Sequence, residues 1–223
     1  VYASIFGPDP IQYRAERNLL DIHEEMGIMI QQVVGTKVGK YFFPLFSGVA
    51  FSNNEYRWSP RIRREDGLLR MVPGLGTRAV DRLTDDFPIL VSPQQPDIRV
   101  NILPDEIKRY SPKKIDVINL ESNAFETIEI SRLLKEFGNQ IGNINKIVSI
   151  MEYDHMRKPN LLEIDFEKDD LVVTFDGIIS NTHFIKQINM AIKTLNAKLG
   201  YAVDIEFASD GKDLYLLQCR PQS

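Results

Sequence analysis

The sequence is short of the residues that would tie it to several common chemistries. It has a single cysteine, Cys219, so no intramolecular disulfide is available, and the expected compartment is a reducing, cytoplasmic one. Its three histidines, His23, His155 and His183, are too far apart in the chain to read as a metal site. No stretch approaches the ~20 apolar residues of a membrane span, and no signal peptide is present, so no membrane partner is expected. Positive charge is not in excess: 27 Lys+Arg stand against 31 Asp+Glu, a net charge of −4. The chain as a whole therefore gives no reason to expect nucleic acid as a partner. Internal repeats and low-complexity segments are also missing. The first residue is Val1, inside what reads as ordinary folded sequence, and the expectation is a piece of a longer protein.

What is present suits an α+β fold. The chain has 223 residues, 43% of them hydrophobic, enough to bury a real core. Asp9-Pro10 is a good helix start, and the spacing predicts a helix over 9–25 that buries Ile11, Leu19, Leu20 and Ile22. Strands are expected over 27–34 and 47–52, with a loop at 35–44 between them. Residues 88–104 read as an extended excursion with short strands at 89–91 and 98–100. A hairpin is expected over 114–120 and 125–130. An amphipathic helix over 131–150 carries Leu133, Leu134, Phe137, Ile141, Ile144, Ile147 and Val148 as its stripe, although Gly138 and Gly142 weaken it. Two short strands follow at 161–166 and 171–175, then a helix over 181–199 stopped by Gly200. No linker splits the chain, so 1–223 is read as one domain.

Residues 57–82 depart from the acidic average. They hold seven arginines, no lysine and three acids (Glu65, Asp66 and Asp81), a local charge of +4. Such a run could bind phosphate or RNA. Only Trp58 interleaves with it, however, and no nucleic-acid motif accompanies it, so a solvated or interdomain surface is the favoured reading. Gly74-Leu-Gly76 lies inside the run and reads by itself as a plain turn.

The closing stretch carries the densest chemistry. Val203, Ile205 and Phe207 alternate with Asp204 and Glu206, the pattern of a half-buried strand. A second strand, 214–220, returns after the turn. With the turn centred on Lys212, Glu206 faces Gln218, their Cβ atoms about 5 Å apart, and Asp204 faces Arg220. Val203, Ile205, Phe207, Tyr215, Leu217 and Cys219 then form the opposite, apolar face, where Cys219 is expected as a small core residue. A carboxylate, an amide and a guanidinium together on one sheet face suggest a metal–phosphate site. A solvated edge hairpin with an Asp204–Arg220 ion pair is the plain alternative.

Four stretches, in order, resemble the ATP-binding module of phosphoenolpyruvate synthase and pyruvate phosphate dikinase. They are Val1-Tyr-Ala-Ser-Ile-Phe6 with Tyr13-Arg14, then Ile30-Gln-Gln-Val-Val34 with Ser47-Gly-Val-Ala-Phe51, then Gly74-Leu-Gly76. The fourth and most specific is Asp204-Ile-Glu206 with Leu217-Gln-Cys-Arg-Pro221. The resemblance implies an ATP-grasp-like fold whose N-terminal subdomain is largely missing here. It implies Glu206 and Gln218 as Mg2+ ligands, Arg220 on the transferring phosphate, and Gln31 and Gln32 on a hinge strand beside the adenine of ATP. Gly74 and Gly76 would form the family's glycine turn at the nucleotide. The implied activity passes a phosphoryl group from ATP to a histidine on a swivelling domain of the parent chain, and from there to pyruvate. The family usually has Glu after its glycine-leucine-glycine, where this chain has Thr77-Arg78. That departure keeps open a non-catalytic nucleotide-binding or regulatory module, and a related dikinase with another acceptor is the remaining alternative.

Overall fold

A computed structural model describes residues 2–23, 25, 27–80, 86–180 and 182–222. The chain forms two compact units, Val1–Val33 and Val34–Ser223. In the first, a 3-10 turn (Tyr2–Phe6) precedes helix α1 (Pro8–Glu16), and neither buries a residue. The helix is shorter than the predicted 9–25, and Asn18 has turned left-handed with φ 54°. Ile11, Leu20 and Ile22 are exposed. Without an apolar partner for its stripe, a helix of this length has little to hold it. The predicted strand over 27–34 is also not formed. Ile28, Met29 and Ile30 are exposed, and a strand needs a neighbour to take up its backbone donors and acceptors.

The second unit is a mixed α+β body. Its elements run β1 (Thr36–Val38), β2 (Tyr41–Phe43), β3 (Phe46–Phe51), β4 (Leu68–Pro73), α2 (Thr77–Val80), β5 (Ile89–Val91), α3 (Pro104–Arg109), β6 (Lys114–Asn119) and β7 (Ala124–Glu129). They continue with α4 (Ile130–Phe137), β8 (Val148–Glu152), β9 (His155–Arg157), β10 (Leu171–Val173), α5 (Asp176–Ser180), α6 (Thr182–Leu199), β11 (Val203–Ser209) and β12 (Leu214–Pro221). Three sheets result, ordered β1-β2-β6-β7, β10-β8-β9 and β12-β11-β3-β4-β5. All their pairings are antiparallel. The α+β class therefore holds, and it agrees with an ATP-grasp-like nucleotide-binding domain.

The five-stranded sheet has two unlike faces, set by strand alternation. One carries Phe46, Ala50, Leu69, Met71, Val91, Ile205 and Phe207, all in the main core. Ile188 and Ile192 of α6 join the same core. Phe207 and Phe184 of α6 have ring centroids 5.8 Å apart, and Phe46 approaches Phe184 edge-on at 5.2 Å. Fully burying one such side chain is worth about 1.5–3 kcal/mol, so this face fixes the sheet against α6. The other face carries Val49, Arg70, Val72, Asp204 and Glu206.

Several expected elements differ. The loop at 35–44 is the β1–β2 hairpin, and β4, α3 and the β8–β9 hairpin were not foreseen. No strand forms at 98–100, and 161–166 holds a 3-10 turn (Leu161–Glu163) instead of a strand. The helix predicted over 131–150 ends at Phe137 and gives way to 3-10 turns (Gly138–Gln140 and Ile144–Lys146) and then β8. The backbone turns extended at Ile141 (φ −86°, ψ 106°) and left-handed at Asn143 (φ 61°), which a continuous helix cannot contain. The turns still bury Ile141, Ile144, Ile147 and Val148, so the apolar stripe reaches the core by another backbone route.

Because Phe207 is 1% exposed and Leu216 51% exposed, truncating them should have unequal effects. Phe207→Ala is expected to cost about 3–5 kcal/mol and Leu216→Ala under about 1 kcal/mol. The midpoints of urea unfolding check both.

Candidate functional site

The closing hairpin forms β11 and β12, and its turn is built by local side chains. The Asp210 Oδ1 atom accepts hydrogen bonds from the backbone N–H groups of Lys212 and Asp213, each at 2.9 Å, and Ser209 Oγ accepts one from Gly211 N–H at 3.1 Å. From the turn outward the register pairs Ser209 with Leu214, Ala208 with Tyr215 and Phe207 with Leu216. It then shifts: Leu217 is left over, Glu206 pairs with Gln218, and Asp204 pairs with Arg220. The predicted site register is therefore present, but a turn centred on Lys212 does not produce it. The turn alone would set Glu206 against Leu217. A one-residue bulge corrects this, a device that re-aims side chains and recurs beside active sites.

The bulge also corrects the expected apolar face. Tyr215 lies on the Glu206 side and donates its hydroxyl to Asp210 Oδ2 at 3.2 Å. Leu214 takes the apolar position and packs against the core, whereas Leu217 occupies the bulge. Cys219 keeps the predicted parity opposite Ile205 but is exposed. It sits on the edge strand of the sheet and is exposed among the described residues, so it is not a core residue.

Glu206, Gln218, Asp204 and Arg220 share one sheet face. Asp204 is buried, and its Oδ1 accepts a hydrogen bond from Arg220 Nε at 2.7 Å. That bond raises the Arg220 pKa above the ordinary arginine range, helped by the charges of Asp204 and then Glu206. The guanidinium is thus held cationic and aimed by Nε, leaving its two terminal NH2 groups for a ligand. Glu206 is half-buried. The same face continues across the sheet, since Glu206 pairs with Val49, Val49 with Arg70, and Arg70 with Leu90.

The glycine turn reaches the same face. Ala79 of α2 packs with Val49 and Val72 of β3 and β4. A Cβ on Gly76 would stand 3.3 Å from Ser47 Cβ, with no other contact as close, so one side of Gly76 is open. Gly74 is enclosed: its φ is 71°, and a Cβ there would lie 2.4 Å from Ile115 Cγ1 and 2.6 Å from the Asp116 carbonyl. Its first duty is to let the turn close on β6. Gln31 and Gln32 belong to the Val1–Val33 unit and are exposed.

Thr77-Arg78, where the resembled family has Glu, is accounted for by a buried ionic knot that sequence reading missed. The Arg78 side chain is 7% exposed and lies 3.4 Å from Asp86 and 3.6 Å from Asp116. Asp116 also accepts hydrogen bonds from Thr77 and Thr127. Asp86 accepts backbone N–H groups of Phe87, Lys113 and Lys114 at 2.8–3.0 Å. Nothing in the local sequence pairs these residues; only the approach of β6 to α2 does. Elsewhere in the arginine run Arg57, Arg61, Arg63 and Arg64 are exposed, and Arg64 pairs with Glu55 at 2.5 Å. Arg82 lies outside the described residues.

With this geometry in hand, one family match covers the chain: the pyruvate phosphate dikinase AMP/ATP-binding domain, over residues 1–223. No curated protein matches the sequence.

Removing Arg78 would leave two buried carboxylates without their cation. Arg78→Met is expected to cost about 3–5 kcal/mol, whereas Arg57→Met should stay within about 0.5 kcal/mol. Denaturant titration of both variants measures the difference.

Proposed function

Because the chain belongs to the pyruvate phosphate dikinase AMP/ATP-binding domain family, we propose that it is the ATP- and Mg2+-binding part of a phosphotransferase of the phosphoenolpyruvate synthase type. The observation that carries this reading is the closing hairpin, which sets Glu206 opposite Gln218 and Asp204 opposite Arg220. Glu206 offers a carboxylate and Gln218 an amide oxygen. This donor set fits Mg2+, which takes oxygen ligands and commonly only one or two protein groups beside phosphates. Bound there, Mg2+ supplies charge neutralisation at the phosphate oxygens.

The chain's own residues do the positioning. Asp204 fixes the Arg220 guanidinium through Nε, and the terminal NH2 groups present a planar fork to the phosphoryl group being transferred. Charge developing on the transferring oxygens then meets donors that are already in place. The opposite face of β11 lies in the core with α6, so the catalytic face is held on a rigid support. Gly76 offers its open side to the nucleotide while Gly74 closes the turn from below. The acceptor is a histidine on the swivelling domain of the parent chain, which passes the phosphoryl group to pyruvate.

A second reading is favoured by one observation, Thr77 standing where the resembled family has an acid. On it the module binds Mg-ATP without transferring phosphate, because the position serves the Arg78 knot instead. Mg2+-dependent ATP binding with no phosphohistidine formed would select this reading.

In the intact protein, Glu206→Ala and Arg220→Ala are each expected to abolish ATP-dependent phosphorylation of the histidine, measured with labelled ATP. Near-normal turnover in both variants overturns the assignment. Asp204→Asn, which keeps the shape and removes the charge that orients Arg220, should lower kcat more than it raises KM.

A further inference from the structure

We propose that the cavity beside the free edge of β5 is a second ligand site, built for a neutral, planar heteroaromatic molecule. The inference does not rest on the reading of the hairpin as an ATP site. β5 ends its sheet and pairs only with β4. A cavity of about 460 Å³ opens along its other side, walled there by Pro88, Ile89 and Leu90. Successive strand residues point to opposite faces, so a cavity touching all three in a row runs along the strand edge. The 99–101 segment and Ile107 of α3 line it too. Its size lies within the range of small-molecule pockets. From Leu90 to Glu206 the sheet row runs through Arg70 and Val49, three strand spacings or about 14 Å. Val49 on that row is buried against Ala79, so the cavity is separate from the hairpin face.

Three features define the chemistry of the occupant. Tyr56, Phe87 and Tyr110 are exposed and line the cavity, and Phe87 meets Tyr110 edge-on with ring centroids 5.3 Å apart. Such rings offer faces and edges to a flat aromatic guest. Charge is balanced. Among the described residues of the wall only Arg99 is charged, and its guanidinium is held by Asp176 at 2.9 Å and by the Thr174 carbonyl at 3.3 Å. An ionic guest would find no free counter-charge there, so the guest is neutral. Hydrogen bonding is left open in two places. Alternate residues of an antiparallel strand turn both N–H and C=O away from their partner. Within 89–91 no such group bonds outside the β4 pairing among the described residues. The side-chain amide of Asn101, another wall residue, is equally without a partner among them. A ring with a donor beside an acceptor, the cyclic amide of a heteroaromatic lactam, matches the pair on the strand edge and leaves Asn101 for a further polar atom.

The test titrates the intact protein with quinazolinone, a neutral bicyclic lactam, and with its N-methyl derivative, which keeps the ring and loses the donor. Ligand-observed NMR reads both, with and without saturating Mg-ATP. Quinazolinone should bind and stay bound under Mg-ATP, and the methyl derivative should bind about tenfold more weakly or worse. Val100→Trp, which fills the cavity, should abolish binding while leaving ATP-dependent phosphorylation intact. Where that variant melts below the assay temperature, Tyr110→Ala and Asn101→Ala decide instead, each with an expected loss of about fivefold. No quinazolinone binding, equal binding of the methyl derivative, or full binding to the filled or truncated variants overturns the proposal. Displacement by Mg-ATP overturns it as a separate site. A protein that binds the lactam in this way and binds no ATP supports this inference and counts against the hairpin reading alone.

Discussion

The layout of the candidate site depends on one extra residue in a strand. The β11–β12 register shifts by one residue between Phe207, paired with Leu216, and Glu206, paired with Gln218, so the pairing follows the turn on one side of Leu217 and is displaced by one position on the other. Because side chains alternate from face to face, a single-residue displacement exchanges every side chain between faces. Without the bulge Glu206 would stand against Leu217, and Arg220 would leave Asp204. With it, the carboxylate, the amide and the guanidinium share one face, and the buried Asp204 can take the Arg220 Nε at 2.7 Å. The hydrogen bond and the bulge support each other. The ion pair fixes the outer register, and that register keeps the pair together.

The rest of the Val34–Ser223 unit serves to hold that face still. The aromatic cluster of Phe46, Phe184 and Phe207 fixes the back of the sheet against α6, leaving the front free of core duty near β11. Over β3 and β4 the front is partly closed by α2, which is anchored from beside by the Arg78, Asp86 and Asp116 knot. A buried charged cluster is a costly way to stabilise a fold. Its value here is geometric: it ties the segment after the glycine turn to β6, and so decides how the turn lies over the sheet that carries Glu206.

Part of the candidate site's layout was legible because it is local. Asp204, Glu206, Gln218 and Arg220 lie within one hairpin, and alternation puts Asp204 and Glu206 on one face, but it is the bulge and not the turn that opposes them to Arg220 and Gln218. The core of that hairpin, Val203, Ile205 and Phe207, was legible for the same reason. The errors share one cause. Tyr215, Leu217 and Cys219 were placed by a symmetric turn, and neither the bulge nor the edge position of β12 leaves a mark in the alternation. The helix expected over 131–150 had the correct apolar residues and the wrong backbone, because apolar periodicity does not register the extended Ile141 and left-handed Asn143 that break it. Residues 27–34 read as a strand from composition, yet a strand exists only where another offers its backbone.

The sequence by itself determined the α+β class, the closing hairpin and the family the chain belongs to. Those features follow from alternation, turn chemistry and short motifs, which act over a few residues. Only the tertiary structure decided that Arg70 stands in line with Glu206, that Arg78 is spent on two carboxylates, and that Gly74 is needed to meet β6. These are contacts between segments far apart in the chain, brought together by burial of a common core. No local pattern encodes which strand lies beside which, so the partners become known only once the sheet is assembled.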